Sequence, residues 1–129
     1  MITEDYILRM IRDMVRMIAH LTGLPAEPLT APQLRESLPA GKTPPLLEQL
    51  VELADRGQIN EAENLLFEEL DFSDRSQLSL ALAFYQHING FSDDRLTAAD
   101  YSREEIAEGL KDCAKRFGLD GSLLEGFSV

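Results

Sequence analysis

All six prolines of the 129-residue chain lie between positions 25 and 45, and this confinement divides the sequence into parts. Proline fixes the backbone φ angle and lacks the N–H that helices and central strands need. We therefore predict a semi-rigid connection over residues 24–45, with room for one short helical turn over 31–38. The segments 1–23 and 46–118 can form regular helices, and 119–129 is a short tail.

The first segment, 1–23, has the pattern of a strongly amphipathic helix over residues 4–22. Thr3 is the predicted N-cap, and Gly23 is the predicted end. The apolar side chains cover an arc of about 200°, whereas a surface helix needs only about 100°. The excess predicts contact with more than one neighbour, in this domain, in another subunit or in a partner. In order around the arc, these side chains are Tyr6, Met17, Met10, Leu21, Met14, Ile7, Ile18, Ile11, Val15 and Leu8.

Helical periodicity returns after the prolines and predicts a helical hairpin. Thr43 and Pro44 have the residue types of an N-cap and a first helical position. The apolar pattern that follows stops at Gly57 and resumes over residues 59–70 after a tight turn.

Two further helices are predicted from their ends. Ser73 is the predicted N-cap of a helix that stops at Gly90. The capping box of Ser102 and Glu105 begins a last helix that stops at Gly118. No stretch alternates with period two, so we predict a single all-α domain over 1–129, a small bundle of about five main helices.

The stretch LVELADRGQINEAENLLFEEL resembles a tetratricopeptide-type helical hairpin. Gly57 and Ala62 occupy the places where that motif closes the first helix and lets the second pack closely. Gly90 follows Gly57 at nearly the motif's period of about 34 residues, but the segment after Gly90 lacks the alanine. One hairpin with one degenerate copy is too little for a solenoid.

The N-terminal stretch EDYILRMIRDMVRMIAHL is similar to the opening of an uncharacterised family of small helical proteins, mainly from Gram-positive bacteria. The resemblance implies an N-terminal helix followed by tetratricopeptide-like helices. The family has no assigned activity, so it implies a fold and leaves the function open. The matching residues are Asp5, Tyr6, Ile7, Arg9, Met10 and Ile11.

Charge and composition argue against several classes of function. The 23 acidic residues outnumber the 12 lysines and arginines, and the net charge of −11 opposes binding to nucleic acid or to an anionic membrane. The longest apolar run is far shorter than the roughly 18 residues of a membrane span. The single cysteine, Cys113, cannot form a disulfide within the chain, so we expect a cytoplasmic protein.

The residue spacing needed for common catalytic and metal-binding sites is missing, and we expect no catalytic residue, no cofactor and no metal site. The sequence Gly-Lys-Thr at 41–43 has Glu36 where a phosphate-binding loop needs its first glycine. Neither histidine follows a glutamate by three residues, as a di-iron bundle site requires. Cys113 lies on an apolar helix face and is predicted to be buried. The carboxylates Glu104, Glu108 and Asp112 are interpreted as a solvated stripe.

The favoured hypothesis is a non-catalytic interaction or assembly module. Its partner would be a second copy of the chain or another protein, with no role for nucleic acid or membrane. The predicted interface residues are Tyr6, Met10, Met14, Met17 and Leu21, although methionines at this spacing also fill ordinary cores.

A small-ligand binder or an unrecognised enzyme is the alternative hypothesis. Its pocket would lie between the hairpin and the last two helices, with Tyr85, His87 and Tyr101 as polar candidates. A third hypothesis, that the first helix is a membrane-surface anchor, conflicts with its acidic residues and with the net charge.

Overall fold

A computed structural model of the chain describes residues 4–22 and 45–119. Within these ranges the protein has six α-helices and no strand, which confirms the all-α prediction. The proposed caps Thr3 and Thr43, the proposed stop at Gly23 and the turn over 31–38 lie outside the described residues. The helices are α1 (Glu4–Thr22), α2 (Pro45–Asp55), α3 (Ile59–Glu69), α4 (Leu78–Asn89), α5 (Asp93–Ala98) and α6 (Arg103–Arg116).

The helix α4 lies at the centre of the bundle and packs against α1, α2 and α6. Its sequence, LSLALAFYQHIN, is apolar on nearly every side, and a helix with that composition is stable only when it is surrounded. The helix buries Ala83 and Phe84 in addition to the single apolar face that periodicity predicts. α1 also packs against α6, so the first and last helices of the described chain are neighbours.

The helices α2 and α3 pack against each other as the predicted hairpin. Gly57 turns the chain with a φ of +86°, a left-handed conformation that favours glycine. Ala62 is completely buried. The likeness of this hairpin to a tetratricopeptide repeat stays a prediction.

The segment between α3 and α4 differs from the prediction, because Ser73 does not cap α4. The carboxylate of Asp71 accepts hydrogen bonds from both the N–H and the hydroxyl of Ser73. This local turn competes with helix initiation, and a 3-10 turn over Arg75–Gln77 comes before α4 begins at Leu78.

The helix α5 is the element that periodicity misses, and it raises the number of helices from five to six. It has only six residues, too few for an apolar repeat, but its N-cap is well formed. The hydroxyl of Ser92 accepts a hydrogen bond of 3.1 Å from the N–H of Arg95. The predicted capping box of Ser102 and Glu105 is present at the start of α6.

A buried arginine ties the ends of three helices together. Arg103, the first residue of α6, is only 2% exposed. Its guanidinium donates to the backbone oxygens of Asn89 (2.7 Å) and Phe91 (2.9 Å) and to the carboxylate of Asp93 (2.8 Å). The amide of Asn89 in turn donates to the backbone oxygen of Leu8 in α1 at 3.2 Å. The C-terminal end of α4 is thereby fixed to α1, α5 and α6.

We expect Arg103→Met to lower the free energy of unfolding by about 2–3 kcal/mol, because it leaves buried carbonyl oxygens without a donor. Urea denaturation measures the loss. Arg56→Met is the matched control, since Arg56 is exposed and its pair with Glu52 lies on the surface. That control should change stability by less than about 1 kcal/mol. Equal losses in the two variants would contradict the role assigned to Arg103.

Candidate functional site

A glutamate and two tyrosines from different parts of the chain meet at the junction of α3, α4 and α6. The hydroxyl of Tyr85 in α4 donates to Oε2 of Glu63 in α3 at 2.6 Å. The hydroxyl of Tyr101, just before α6, donates to the same oxygen at 3.0 Å. One carboxylate oxygen therefore satisfies two tyrosine hydroxyls.

Burial explains why these groups meet and how they titrate. Tyr85 is fully buried and Tyr101 is 4% exposed, and a buried tyrosine hydroxyl needs a hydrogen-bond partner. Burial raises the pKa of Glu63 above its ordinary value of 4.5, although the two tyrosine hydrogen bonds oppose that rise. Burial is also the main cause of the raised pKa of each tyrosine. Glu105 and Asp112 add a smaller repulsion that raises the pKa of Glu63 further.

Glycine is required where α6 passes this cluster. A Cβ at Gly109 would lie 2.5 Å from the hydroxyl of Tyr85 and 2.6 Å from Oε2 of Glu63. Real Cβ atoms essentially never make such short contacts, so any side chain at position 109 would displace the cluster. The absence of a side chain lets α6 lie directly over the glutamate.

Of the cluster, Glu63 lines an open groove between α3 and α6, which we call the Glu63 groove. Its volume is about 390 Å³. The lining carries four carboxylates and no lysine, arginine or histidine, so it favours a cationic group over an anionic one. The lining residues are Glu63, Asn64, Phe67, Glu105, Glu108, Gly109 and Asp112.

The structure brings together two of the three polar residues proposed for a ligand pocket. Tyr85 and Tyr101 share Glu63, whereas His87 lies at a different place. Nε2 of His87 is 2.7 Å from Oδ1 of Asp55 at the end of α2. Arg95 donates to the backbone oxygen of that aspartate at 3.0 Å.

The sequence interpretation overlooked Glu63 and Gly109. A signal for Glu63 was present, because it follows the buried Ile59 by four residues and precedes the buried Leu66 by three. An acidic residue inside an apolar i, i+4, i+7 pattern points toward the core and requires a partner. No comparable signal marked Gly109, because the need for glycine at that position depends on which side chains of other segments pack against it.

The five proposed interface residues of α1 fall into two groups. Met10 and Met14 are 7% and 0% exposed, so they pack in the domain's own core. Met17 is half-buried. Tyr6 and Leu21 are 55% and 40% exposed, and within the described ranges they are the large apolar side chains that remain exposed. We call Tyr6, Met17 and Leu21 the α1 edge, because they lie within about 60° of one another around the helix.

Cys113 is buried as predicted, and burial raises the pKa of its thiol to about 12. At neutral pH the thiol is therefore protonated and a poor nucleophile. Over residues 4–22 and 45–119, no group of three or more histidine, cysteine or acidic side chains is arranged to hold a metal ion. None of the helices in this part of the chain has the length and apolar character needed to cross a membrane.

The chain matches a known protein-family profile over most of its length. The profile described as "Family of unknown function (DUF6483)" matches residues 1–118. The chain belongs to this family. No curated protein and no solved structure matches it. The match agrees with the expectation of an uncharacterised family. It covers every described residue except 119, and so includes α1 and both sides of the Glu63 groove. Membership assigns no activity, so function has to be argued from the chemistry of the surfaces.

The raised pKa of Glu63 predicts a specific pH dependence of stability. A carboxyl group with a raised pKa in the folded state contributes stability that is fully present below its unfolded pKa and is lost as pH rises through the folded pKa. Glu63→Gln removes this loss. We therefore expect the stability of Glu63→Gln relative to the wild type, measured by urea denaturation, to increase as the pH rises above the ordinary pKa of 4.5 and through the raised pKa of Glu63.

The control is Glu61→Gln, which removes the same charge from an exposed position on α3. If the two variants followed the same curve against pH, the burial of Glu63 would not affect its titration.

Proposed function

We propose that the protein is a non-catalytic interaction or assembly module, and that the α1 edge is its contact surface. The observation that supports this proposal is the division of α1 into a buried face and an exposed apolar edge. The buried face supplies seven side chains to the core: Ile7, Met10, Ile11, Met14, Val15, Ile18 and Ala19. Tyr6 and Leu21 are apolar and largely outside that core.

The alignment of the edge matters more than the exposure of either residue alone. A single exposed apolar side chain is ordinary on a protein surface. The three edge residues instead share one side of a helix of 19 residues that spans about 28 Å, although Met10 on the same side is buried. Covering the exposed parts of that side with a partner would remove apolar surface from water, at about 25 cal/mol per Å². Tyrosine is also enriched where proteins contact each other, because its ring is apolar and its hydroxyl remains hydrated.

The setting that we propose is the bacterial cytoplasm, with α2 and α3 as a tetratricopeptide-like hairpin. The net charge of −11 argues for a protein partner over nucleic acid or an anionic membrane. The one thiol is buried within the domain, which suits a protein that needs no disulfide.

Site-specific photocross-linking in living cells tests the interaction function. A benzophenone amino acid is placed at position 6 or 21, and at Gln49 on α2 as an exposed control. We expect positions 6 and 21 to give the same discrete protein adduct and position 49 to lack it. Identical adduct patterns at all three positions, or no adduct at 6 and 21, would contradict the proposed contact surface.

A second candidate function is the binding of a small cationic molecule in the Glu63 groove. The observation that favours it is the fixed position of the Glu63 carboxylate, held by two buried hydroxyls at the inner wall of the groove. The volume of about 390 Å³ lies at the lower end of the roughly 300–1,000 Å³ of ligand pockets. A carboxyl group with a raised pKa could also serve acid–base catalysis, although the seven lining residues include no hydroxyl or thiol nucleophile.

Thermal-shift measurements with small amines and guanidines test this second function. A ligand that binds the folded state raises the melting temperature with concentration. We expect the rise in the wild type and in Glu61→Gln, and its loss in Glu63→Gln, because only the last variant changes the inner wall of the groove. The absence of any rise in the wild type would exclude the binding of these cations.

A further inference from the structure

The helix α3 has fewer buried residues than the helices around it, and hydrogen bonds of Glu63 hold it to the rest of the bundle. We propose that α3 is a proton-sensitive flap, which opens locally from the bundle and opens more often once Glu63 has lost its proton. Opening removes one wall of the Glu63 groove. Neither of the functions proposed above is needed for this behaviour.

Few residues of α3 are buried. The buried fraction is three of 11 residues in α3, against eight of 12 in α4 and seven of 14 in α6. One of the three is an alanine, and one flank of α3 borders the open groove. Local opening occurs where few apolar contacts hold an element. Since an isolated helix of 11 residues is marginal in water, α3 loses its helical structure when it detaches.

The two walls of the groove are held unequally. The α6 wall packs against both α1 and α4. Its first residue, Arg103, also donates a hydrogen bond of 2.7 Å to the backbone oxygen of Asn89 at the end of α4. The close packing partner of α3 is its hairpin neighbour α2. The wall that opens is therefore α3, and α6 stays with the body of the bundle.

Glu63 forms the shortest side-chain hydrogen bond between α3 and another part of the described bundle. Its Oε2 accepts hydrogen bonds from the hydroxyls of Tyr85 (2.6 Å) and Tyr101 (3.0 Å). A longer bond of 3.3 Å joins the side-chain amide of Asn60 to the backbone oxygen of Asp100. When α3 detaches, both bonds of Glu63 break, and its carboxyl group passes from a partly buried site into water.

The surroundings of Glu63 make this opening depend on its proton. Arg116 pairs with Asp112 at 3.4 Å, and the other charged groups around Glu63 are carboxylates. Burial raises the pKa of Glu63 in the closed state, and the two tyrosine hydrogen bonds oppose that rise without cancelling it. In the open state the carboxyl group is in water, where its ordinary pKa of 4.5 applies. The titratable and charged groups around it are Tyr85 and Cys113 on the core side, Tyr101 before α6, and Glu105, Glu108, Asp112 and Arg116 on α6.

The sign of the dependence follows from linkage. Between pH 4.5 and the raised pKa, the closed state holds a proton that the open state releases. A rise in pH therefore favours opening, by up to about tenfold per pH unit for one proton. Below pH 4.5 both states hold the proton, and the opening equilibrium no longer changes with the ionisation of Glu63.

Hydrogen–deuterium exchange of the whole folded chain tests the flap. Each amide is compared with the unfolded chain at the same pH, and the ratio of the two exchange rates gives its protection. We expect the amides of α3 to be less protected than those of α4, because α3 opens without global unfolding. As the pH rises from 4.5 through the raised pKa of Glu63, this protection should fall by up to about tenfold per pH unit.

Three variants separate the proton of Glu63 from other effects. Glu63→Gln still accepts hydrogen bonds through its amide oxygen but holds no titrating proton, so the protection of α3 should lose this pH dependence. Glu61→Gln, at an exposed position on the same helix, should keep it. Tyr101→Phe removes a hydrogen bond that lowers the pKa of Glu63, so the fall in protection should extend to higher pH.

Two results would overturn the inference. Equal protection of α3 and α4 would mean that α3 opens only when the whole chain unfolds. The same pH dependence in Glu63→Gln as in the wild type would mean that the proton of Glu63 does not control the opening.

Discussion

The burial of α4 on nearly all sides is the constraint on which the rest of this bundle depends. Burying the apolar side chains of a helix is favourable, but its buried polar groups then need hydrogen-bond partners inside the protein. The hydroxyl of Tyr85 donates a hydrogen bond to Glu63 on α3, and the backbone carbonyl of Asn89 accepts one from Arg103 on α6. These two bonds explain why one charged residue from α3 and one from α6 point toward α4. They also determine how the helices are arranged, because each partner can satisfy its bond in only a narrow range of positions.

The Glu63 groove is a direct consequence of this arrangement. Bringing a carboxylate to Tyr85 leaves one side of it beside α6, and α6 can approach only because Gly109 has no side chain there. Repulsion from Glu105 and Asp112 adds to the burial that raises the pKa of Glu63. Glu63 therefore forms hydrogen bonds within the domain. Together with Glu105 and Asp112 it also makes the groove on the surface negatively charged.

The sequence predicted the helices well where local signals define them and poorly where distant residues do. The helical pattern over residues 4–22, the turn at Gly57 and the capping box at Ser102 each depend on neighbours within a few positions, and each is confirmed. The cap at Ser73 failed because Asp71 offered the serine a competing local bond. The cluster at Glu63 escaped notice for a different reason. Its members come from α3, α4 and the segment just before α6, and periodicity within one helix cannot show which side chains of other segments lie opposite.

The methionines of α1 show that an apolar pattern alone cannot distinguish core residues from interface residues. Their adaptable side chains suit both a core and an interface, and on the sequence alone the five proposed residues formed one stripe. In the folded bundle these residues differ in exposure: Met10 and Met14 are buried in the core, whereas Tyr6 and Leu21 are exposed. A charge placed at Met14 would unfold the domain whatever its partners, since the position is completely buried. The residues that can report on an interface are therefore the ones that the core leaves exposed, and the large apolar ones in α1 are Tyr6 and Leu21.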